Sequence, residues 1–298
     1  MNTRRPEPVA AAGILNVYKE AGWTSHDVVA RIRRLAGQKR VGHAGTLDPL
    51  AEGVLPILLG RATRLADAIQ AGEKRYEAEV QLGVATRTDD AEGEVVASQP
   101  VPALDDERVE AALAGFRGTI SQIPPAYSAI KVDGRRAYAV ARRGGRPDLQ
   151  ARQVTISDLR LVERTVDRLV LAVRCSRGTY VRALARDLAA SLGTVGHLAR
   201  LVRTQVGPFG VQDALTLAHI QERGVDAALL PPEAALPDAP VYQASPAEAA
   251  RLANGQAIDA HGLDTTRVRV HDDSGRLLCL AATDGDLLRP RIVLSEAG

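Results

Sequence analysis

Residues 74–82 alternate in character: Tyr76, Ala78, Val80 and Leu82 fall on one side, Arg75, Glu77, Glu79 and Gln81 on the other. That two-residue period is the signature of a half-buried strand. Two further strand-like runs lie within 152–175 and another near 198–206. Gly13–Tyr18 and Val54–Leu59 read as shorter strands. Helical periods are scattered between them. Ser25 is placed as the cap of a helix carrying Val28, Val29, Ile32 and Leu35 on one face. Residues 62–69 read as a second helix, and Asp105 or Asp106 starts a third that runs through Leu113. The stretch CSRGTYVRALARDLAASLG (175–193) reads as a strand end, a glycine turn and an amphipathic helix. Strands that come in runs, without strict βαβ alternation, predict an α+β fold.

The chain has 298 residues, which fits one large domain or two unequal ones. The best boundary is PPEAALPDAP (231–240), rich in proline and without periodicity. Beyond it a helix is expected over 245–253 and three strands near 266–271, 277–283 and 288–294. Residues 1–12 are expected to be a disordered lead-in. Hydrophobic residues at 45% and charged ones at 25% exclude disorder over the whole length. A net charge of +2 is too weak to imply nucleic acid. The cations are lopsided in kind, with Lys19, Lys39, Lys74 and Lys131 the lysines among 38 basic residues. Arginine of this abundance reflects either a GC-rich genome or phosphate binding by guanidinium forks. Cys175 and Cys279 supply neither a disulfide framework nor a thiolate zinc site, so a reducing cytoplasm is expected. No apolar stretch approaches a membrane span. Arg4-Arg5 is followed by Pro6-Glu7-Pro8, which argues against a twin-arginine leader.

The most distinctive segment is the glycine-rich loop VGHAGTLDPLAEG (41–53), which carries His43, Thr46, Asp48 and Glu52. Asp48 before Pro49 matches a helix N-cap with proline at the first helical position. It also matches a carboxylate held on a tight turn beside a histidine, suited to a nucleophile or general base. A metal site lacks a ligand-spaced partner, and a phosphate loop lacks Gly-Lys-Ser/Thr. Asp48 paired with Glu52 would be the arrangement of a glycosidase acting on free sugars. In SRGTYVR, Gly178 permits a turn, with Tyr180 and Arg182 two residues apart. Arg177 and Arg182 read either as surface residues or as cationic partners for a carboxylate. Basic stretches lie at 31–40 (Arg31, Arg33, Arg34, Lys39, Arg40) and 135–146 (Arg135, Arg136, Arg142, Arg143, Arg146).

Four segments in series, GHAGTLDPLAEGVLPILLGRATRL, KRYEAEV, IPPAYSAIKVDGRRAY and CSRGTYVRALARDL, resemble the TruB family of bacterial tRNA pseudouridine synthases. The resemblance covers roughly residues 12–230. It implies a mixed, mostly antiparallel central sheet with flanking helices, forming a catalytic domain over 13–235. A small β-rich, PUA-like RNA-binding domain over 236–298 is also implied. There, five arginines (Arg267, Arg269, Arg276, Arg289, Arg291) face as many aspartates (Asp264, Asp272, Asp273, Asp284, Asp286), so its expected share of the binding is modest. The implied reaction converts uridine 55 of the tRNA T loop to pseudouridine. Asp48 then matches the essential aspartate, Arg182 its cationic partner and Tyr76 the tyrosine stacked on the target base. Tyr180 and Leu201 match the rest of the uracil pocket, and His43 a residue supporting the RNA around the extruded nucleotide. Tyr127 and Tyr138 are left as core or pocket. Lys19, Arg40, Arg142 and Arg143 are placed as further substrate-binding residues. An isomerisation needs no cofactor or metal, and none is expected. The expected partner is tRNA, with no membrane, no obligatory protein partner and a monomeric state. The alternatives are a tRNA-folding chaperone using the same surface and the guide-RNA-directed relatives. Residues 85–150, of bacterial type, argue against the latter.

Overall fold

The structure is a computed structural model that describes residues 12–294 apart from 129, 133, 134, 142–144 and 146. The expected lead-in at 1–12 thus falls almost wholly outside the described residues, as do Arg142, Arg143 and Arg146. In chain order the first elements are strand β1 (Gly13–Lys19), helix α1 (Ser25–Ala36) and strands β2 (Val41–His43) and β3 (Glu52–Leu59). Helix α2 (Ala66–Gln70) and strands β4 (Lys74–Leu82), β5 (Val84–Thr86) and β6 (Val95–Ser98) follow. Next come α3 (Asp106–Ala114), β7 (Gly118–Gln122), β8 (Lys131–Val132), β9 (Arg135–Arg136) and α4 (Ala137–Ala141). The long strands β10 (Arg152–Arg164) and β11 (Arg168–Cys175) lead into α5 (Val181–Ser191), β12 (Gly196–Val206) and β13 (Phe209–Gly210).

Nine of these strands form one sheet in the order β1-β3-β12-β4-β11-β10-β7, with β2 on β3 and β13 on β12. Only β3 and β12 run parallel; the other pairs are antiparallel. This is the mixed, mostly antiparallel sheet with flanking helices that the family resemblance implies. One large apolar cluster joins α1 and α5 to the sheet through Val28, Ile32, Leu55, Val80, Leu184 and Leu188.

The register explains where a site forms. Arg203 of β12 pairs with Gly53 of β3 and with Tyr76 of β4, and Leu201 pairs with Ala78. Tyr76 is in turn paired with Val173 of β11, two residues before that strand ends. The start of β3, the start of β4 and the end of β11 thus meet at one place in the sheet. Gly53 adopts φ +101°, and a Cβ there would lie 2.2 Å from the Arg203 carbonyl oxygen. Gly53→Ala is therefore expected to destabilise the fold by at least about 2 kcal/mol, read as a lower urea midpoint.

Local expectations fail at some ends. Thr24, not Ser25, caps α1: its hydroxyl accepts from Asp27 N, and Thr24 N donates to the Asp27 carboxylate. Ser25 is the first helical residue, and its hydroxyl is used elsewhere. The helix expected at 62–69 is a 3-10 turn over Gly60–Leu65 that passes into the short α2. Helices α6 (Leu217–Arg223) and α7 (Val225–Ala228) precede the proline-rich segment.

Beyond that segment lie β14 (Val241–Gln243), α8 (Pro246–Ala253), β15 (Ile258–Asp259), β16 (Val268–His271), β17 (Leu277–Asp284) and β18 (Leu287–Val293). The strands make a second, five-stranded sheet ordered β14-β16-β17-β18-β15. It has its own core around Leu252, Val268, Val270 and Leu288. Leu277, Leu280 and Leu294 also join Ile14, Leu58, Leu65 and Phe209 in a second apolar cluster. Arg61 and Arg64 donate to the carbonyls of Leu294 and Val293.

Candidate active site

The loop between β2 and β3 is fixed through its backbone. Ser25 Oγ accepts from Leu47 N at 2.9 Å and donates to Leu47 O at 3.1 Å. Lys19 Nζ donates to Pro49 O at 3.2 Å, Trp23 O at 2.7 Å and Glu20 O at 3.1 Å. Arg203 donates to Gly45 O at 2.9 Å, Thr46 O at 3.2 Å and Val54 O at 2.8 Å. Three side chains from β1, α1 and β12 thus hold residues 45, 46, 47 and 49. Ala51 N donates to Asp48 O at 3.1 Å. Asp48-Pro49-Leu50-Ala51 is a tight turn into β3, with proline at its second position. No helix follows, so the N-cap reading of Asp48 is excluded. Its side chain is 38% exposed and free to act.

Arg182 stands against that carboxylate. It is the second residue of α5, 6% exposed, with Nε 2.9 Å from Asp48 Oδ2. Its Nη1 lies 3.4 Å from Asp90 Oδ2, and Asp90 is 5% exposed. Nη1 also donates to Thr88 O at 2.9 Å, and Nη2 to Tyr127 O at 3.0 Å. The guanidinium is locked from behind by Asp90 and two carbonyls, and Glu92 N donates to Asp90 Oδ1 at 3.1 Å. Arg182 therefore presents its charge to Asp48 in one orientation. Glu92, nearby, has its pKa raised by burial and then by the charges of Asp90 and Asp48.

These groups line a cavity of about 740 Å³. Four of the chain's six tyrosines line it as well: Tyr76, Tyr127, Tyr138 and Tyr180. Tyr127 and Tyr138 thus belong to the cavity wall. Tyr180 is placed by its backbone: its N donates to Gln122 Oε1 at 2.9 Å, and Gln122 Nε2 donates to its carbonyl at 3.1 Å. The Tyr76 hydroxyl interacts with Arg203. Burial raises the pKa of both Tyr76 and Tyr180, so they stay neutral donors near pH 7. Leu201, 6% exposed, supplies an apolar patch of the wall.

Asp48, Tyr76, Tyr180, Arg182 and Leu201 thus converge on one cavity. His43, Lys19 and Arg40 do not line it. His43 lies outside the lining, edge-on to His26 with ring centroids 6.0 Å apart. Burial lowers its pKa. Lys19 is wholly buried, and its ammonium is spent on three carbonyls, which corrects its placement as a residue that meets substrate. Arg40 is exposed, away from the cavity, and donates to Thr63 Oγ1 at 3.0 Å. Arg142 and Arg143 fall outside the described residues. Glu52 turns away from the cavity, accepting from Tyr18 Oη at 2.9 Å with Arg200 3.7 Å off. The carboxylate-pair glycosidase arrangement is therefore absent. The reading of the sequence missed Asp90, Arg203, Gln122 and the bracing role of Ser25.

A family model described as TruB family pseudouridylate synthase (N terminal domain) matches residues 33–181. A second, the tRNA pseudouridylate synthase B C-terminal domain, matches 182–237. Relatives match over nearly the whole chain. The tRNA pseudouridine synthase B of Thermobifida fusca (strain YX) is 45% identical, covering 96% of this chain and 99% of its own. This chain belongs to the TruB family. That of Streptococcus pneumoniae serotype 4 is 43% identical over 95% of this chain and 99% of its own. Among solved structures, a Cbf5-Nop10-Gar1 complex superposes with a TM-score of 0.74 at 24% identity, covering 95% of this chain and 85% of that one. The archaeal box H/ACA sRNP Nop10-Cbf5 complex gives 0.71 at 22%, covering 97% and 89%. At these identities the likeness is one of fold. The TruB-family models meet between Val181 and Arg182, so the Asp48–Arg182 pair joins the two matched regions.

Proposed function

We propose that this chain isomerises a uridine of tRNA to pseudouridine, with uridine 55 of the T loop as target. The observation that carries the reading is the Asp48–Arg182 pair, 2.9 Å apart, at a tyrosine-lined cavity. The reaction breaks C1′–N1, forms C1′–C5, moves a proton off C5 and leaves one on N1. It is internally balanced and draws on no cofactor. Asp48 is the nucleophile, and Arg182 holds its carboxylate aimed from 2.9 Å. The target base leaves its stack to reach the cavity, at a cost of a few kcal/mol. Stacking on Tyr76 returns about 1–3 kcal/mol, with Leu201 and Tyr180 closing the pocket.

The basic stretches at 31–40 and 135–146 supply phosphate contacts and a salt-dependent affinity. Residues 13–235 form the catalytic domain, and 236–298 a PUA-like unit that makes a modest contribution to RNA binding. The chain works alone, as a monomer, in the cytoplasm. The test is to incubate it with an unmodified tRNA transcript and map pseudouridine by carbodiimide modification and primer extension. A single stop at position 55 is expected; stops elsewhere, or none, overturn the assignment. Lys19 gives a sharper check on placement. Lys19→Met is expected to lower kcat about tenfold by loosening the 45–49 loop, and to leave the salt slope of tRNA binding unchanged. A slope reduced by about one ion would make Lys19 a phosphate contact after all.

A further inference from the structure

Among the described residues Arg203 heads the large buried side chains and is 2% exposed. Its donors go to the carbonyls of Gly45, Thr46 and Val54. Carbonyls offer dipoles but no counter-charge. Among the described residues no carboxylate stands at ion-pair distance from it, and Asp48, whose field reaches it, is paired to Arg182. Its remaining polar partner is the Tyr76 hydroxyl, and both Arg203 and Tyr76 line the cavity. A neutral amide would brace backbone carbonyls at far lower desolvation cost than an unpaired buried cation. The guanidinium therefore sits behind the base-stacking tyrosine with no carboxylate, among the described residues, in contact with it.

We propose that the Arg203 guanidinium is the built-in counter-charge for the uracil anion released from C1′, acting on it across Tyr76. The inference rests on the isomerase reading. When C1′–N1 breaks, its electron pair stays with the pyrimidine, which becomes an anion delocalised over N1, O2 and O4. The same anion, turned, attacks C1′ through C5; the C5 proton then leaves, and N1 is protonated. Negative charge exists on the base only between cleavage and proton transfer. A fixed cation in a site of low dielectric favours that interval over the neutral ground state. Arg203 acts through Tyr76 and the loop, so it is a positioning residue. A neutral substitute holding the same carbonyls would lose this effect.

The experiment compares single-turnover consumption of the target nucleoside in tRNA transcripts carrying uridine or 5-fluorouridine. Digestion and chromatography provide the readout. Fluorine withdraws electrons and stabilises the leaving anion without help from the protein. Arg203→Gln is expected to slow the uridine substrate about 100-fold and the fluorinated one less than about tenfold, with tRNA affinity retained. Arg203→Lys, which keeps the charge and loses the fork, is expected to stay within about tenfold of the wild type on uridine. Equal losses on both substrates for Arg203→Gln overturn the charge assignment and leave a scaffold. If Arg203→Gln does not fold, Arg203→Lys decides: a 100-fold loss that is equal on both substrates overturns the proposal. A wild-type chain that consumes neither substrate overturns the isomerase reading itself.

Discussion

Asp48→Asn is expected to lower isomerisation by at least about 10⁴-fold, the scale seen when a nucleophile or its charged partner is removed. Affinity for tRNA should stay within about twofold. The two effects separate because the carboxylate takes no part in holding its own loop. The turn is closed by Ala51 N on the Asp48 carbonyl, and Ser25, Lys19 and Arg203 hold the neighbouring backbone. An amide of the same shape therefore leaves the cavity intact and removes only the charged carboxylate. Single-turnover tritium release and filter binding on one tRNA preparation check both halves. A loss of only tenfold would mean that Asp48 orients substrate and that another group attacks.

Arg182→Met is expected to fail twice. Asp90, 5% exposed, would be left in the interior without the guanidinium that faces it. Breaking a buried pair from one side costs about 3–5 kcal/mol, visible as a lower urea midpoint. Asp48 would lose the cation that faces it at 2.9 Å, with an expected rate loss of about 10³-fold. The double variant Arg182→Met with Asp90→Asn separates the two roles. It should recover part of the lost stability, since the stranded charge is gone, and none of the activity. Recovery of activity along with stability would reduce Arg182 to a structural residue.

The sheet was legible in part because β4 and β11 alternate cleanly and face one core. The glycine loop with Asp48 was legible as unusual, but its local chemistry fits a helix cap as well as a nucleophile. Only the turn closed at Ala51, with β3 beginning at Glu52, decides between them. Asp90 and Arg203 could not be singled out. Asp90 lies in a polar turn, and its meaning comes from Arg182, which strand pairing and α5 bring to it across the cavity. Arg203 is one arginine among many, and it is distinguished by the parallel pairing of β12 with β3, a nonlocal event. The burial of Lys19 is a nonlocal event too. Here the chain folds back so that the carbonyls of 20, 23 and 49 surround it. Short strands such as β13 and β15 are two residues long and carry no period to read.

The most direct measurement uses the purified chain, a chelator and an unmodified tRNA transcript tritiated at uracil C5, with tritium release followed to completion. The account predicts stoichiometric release from the T-loop uridine, abolished by Asp48→Asn. Release that is absent while tRNA still binds would contradict it and leave a tRNA-binding protein that does not perform the isomerisation.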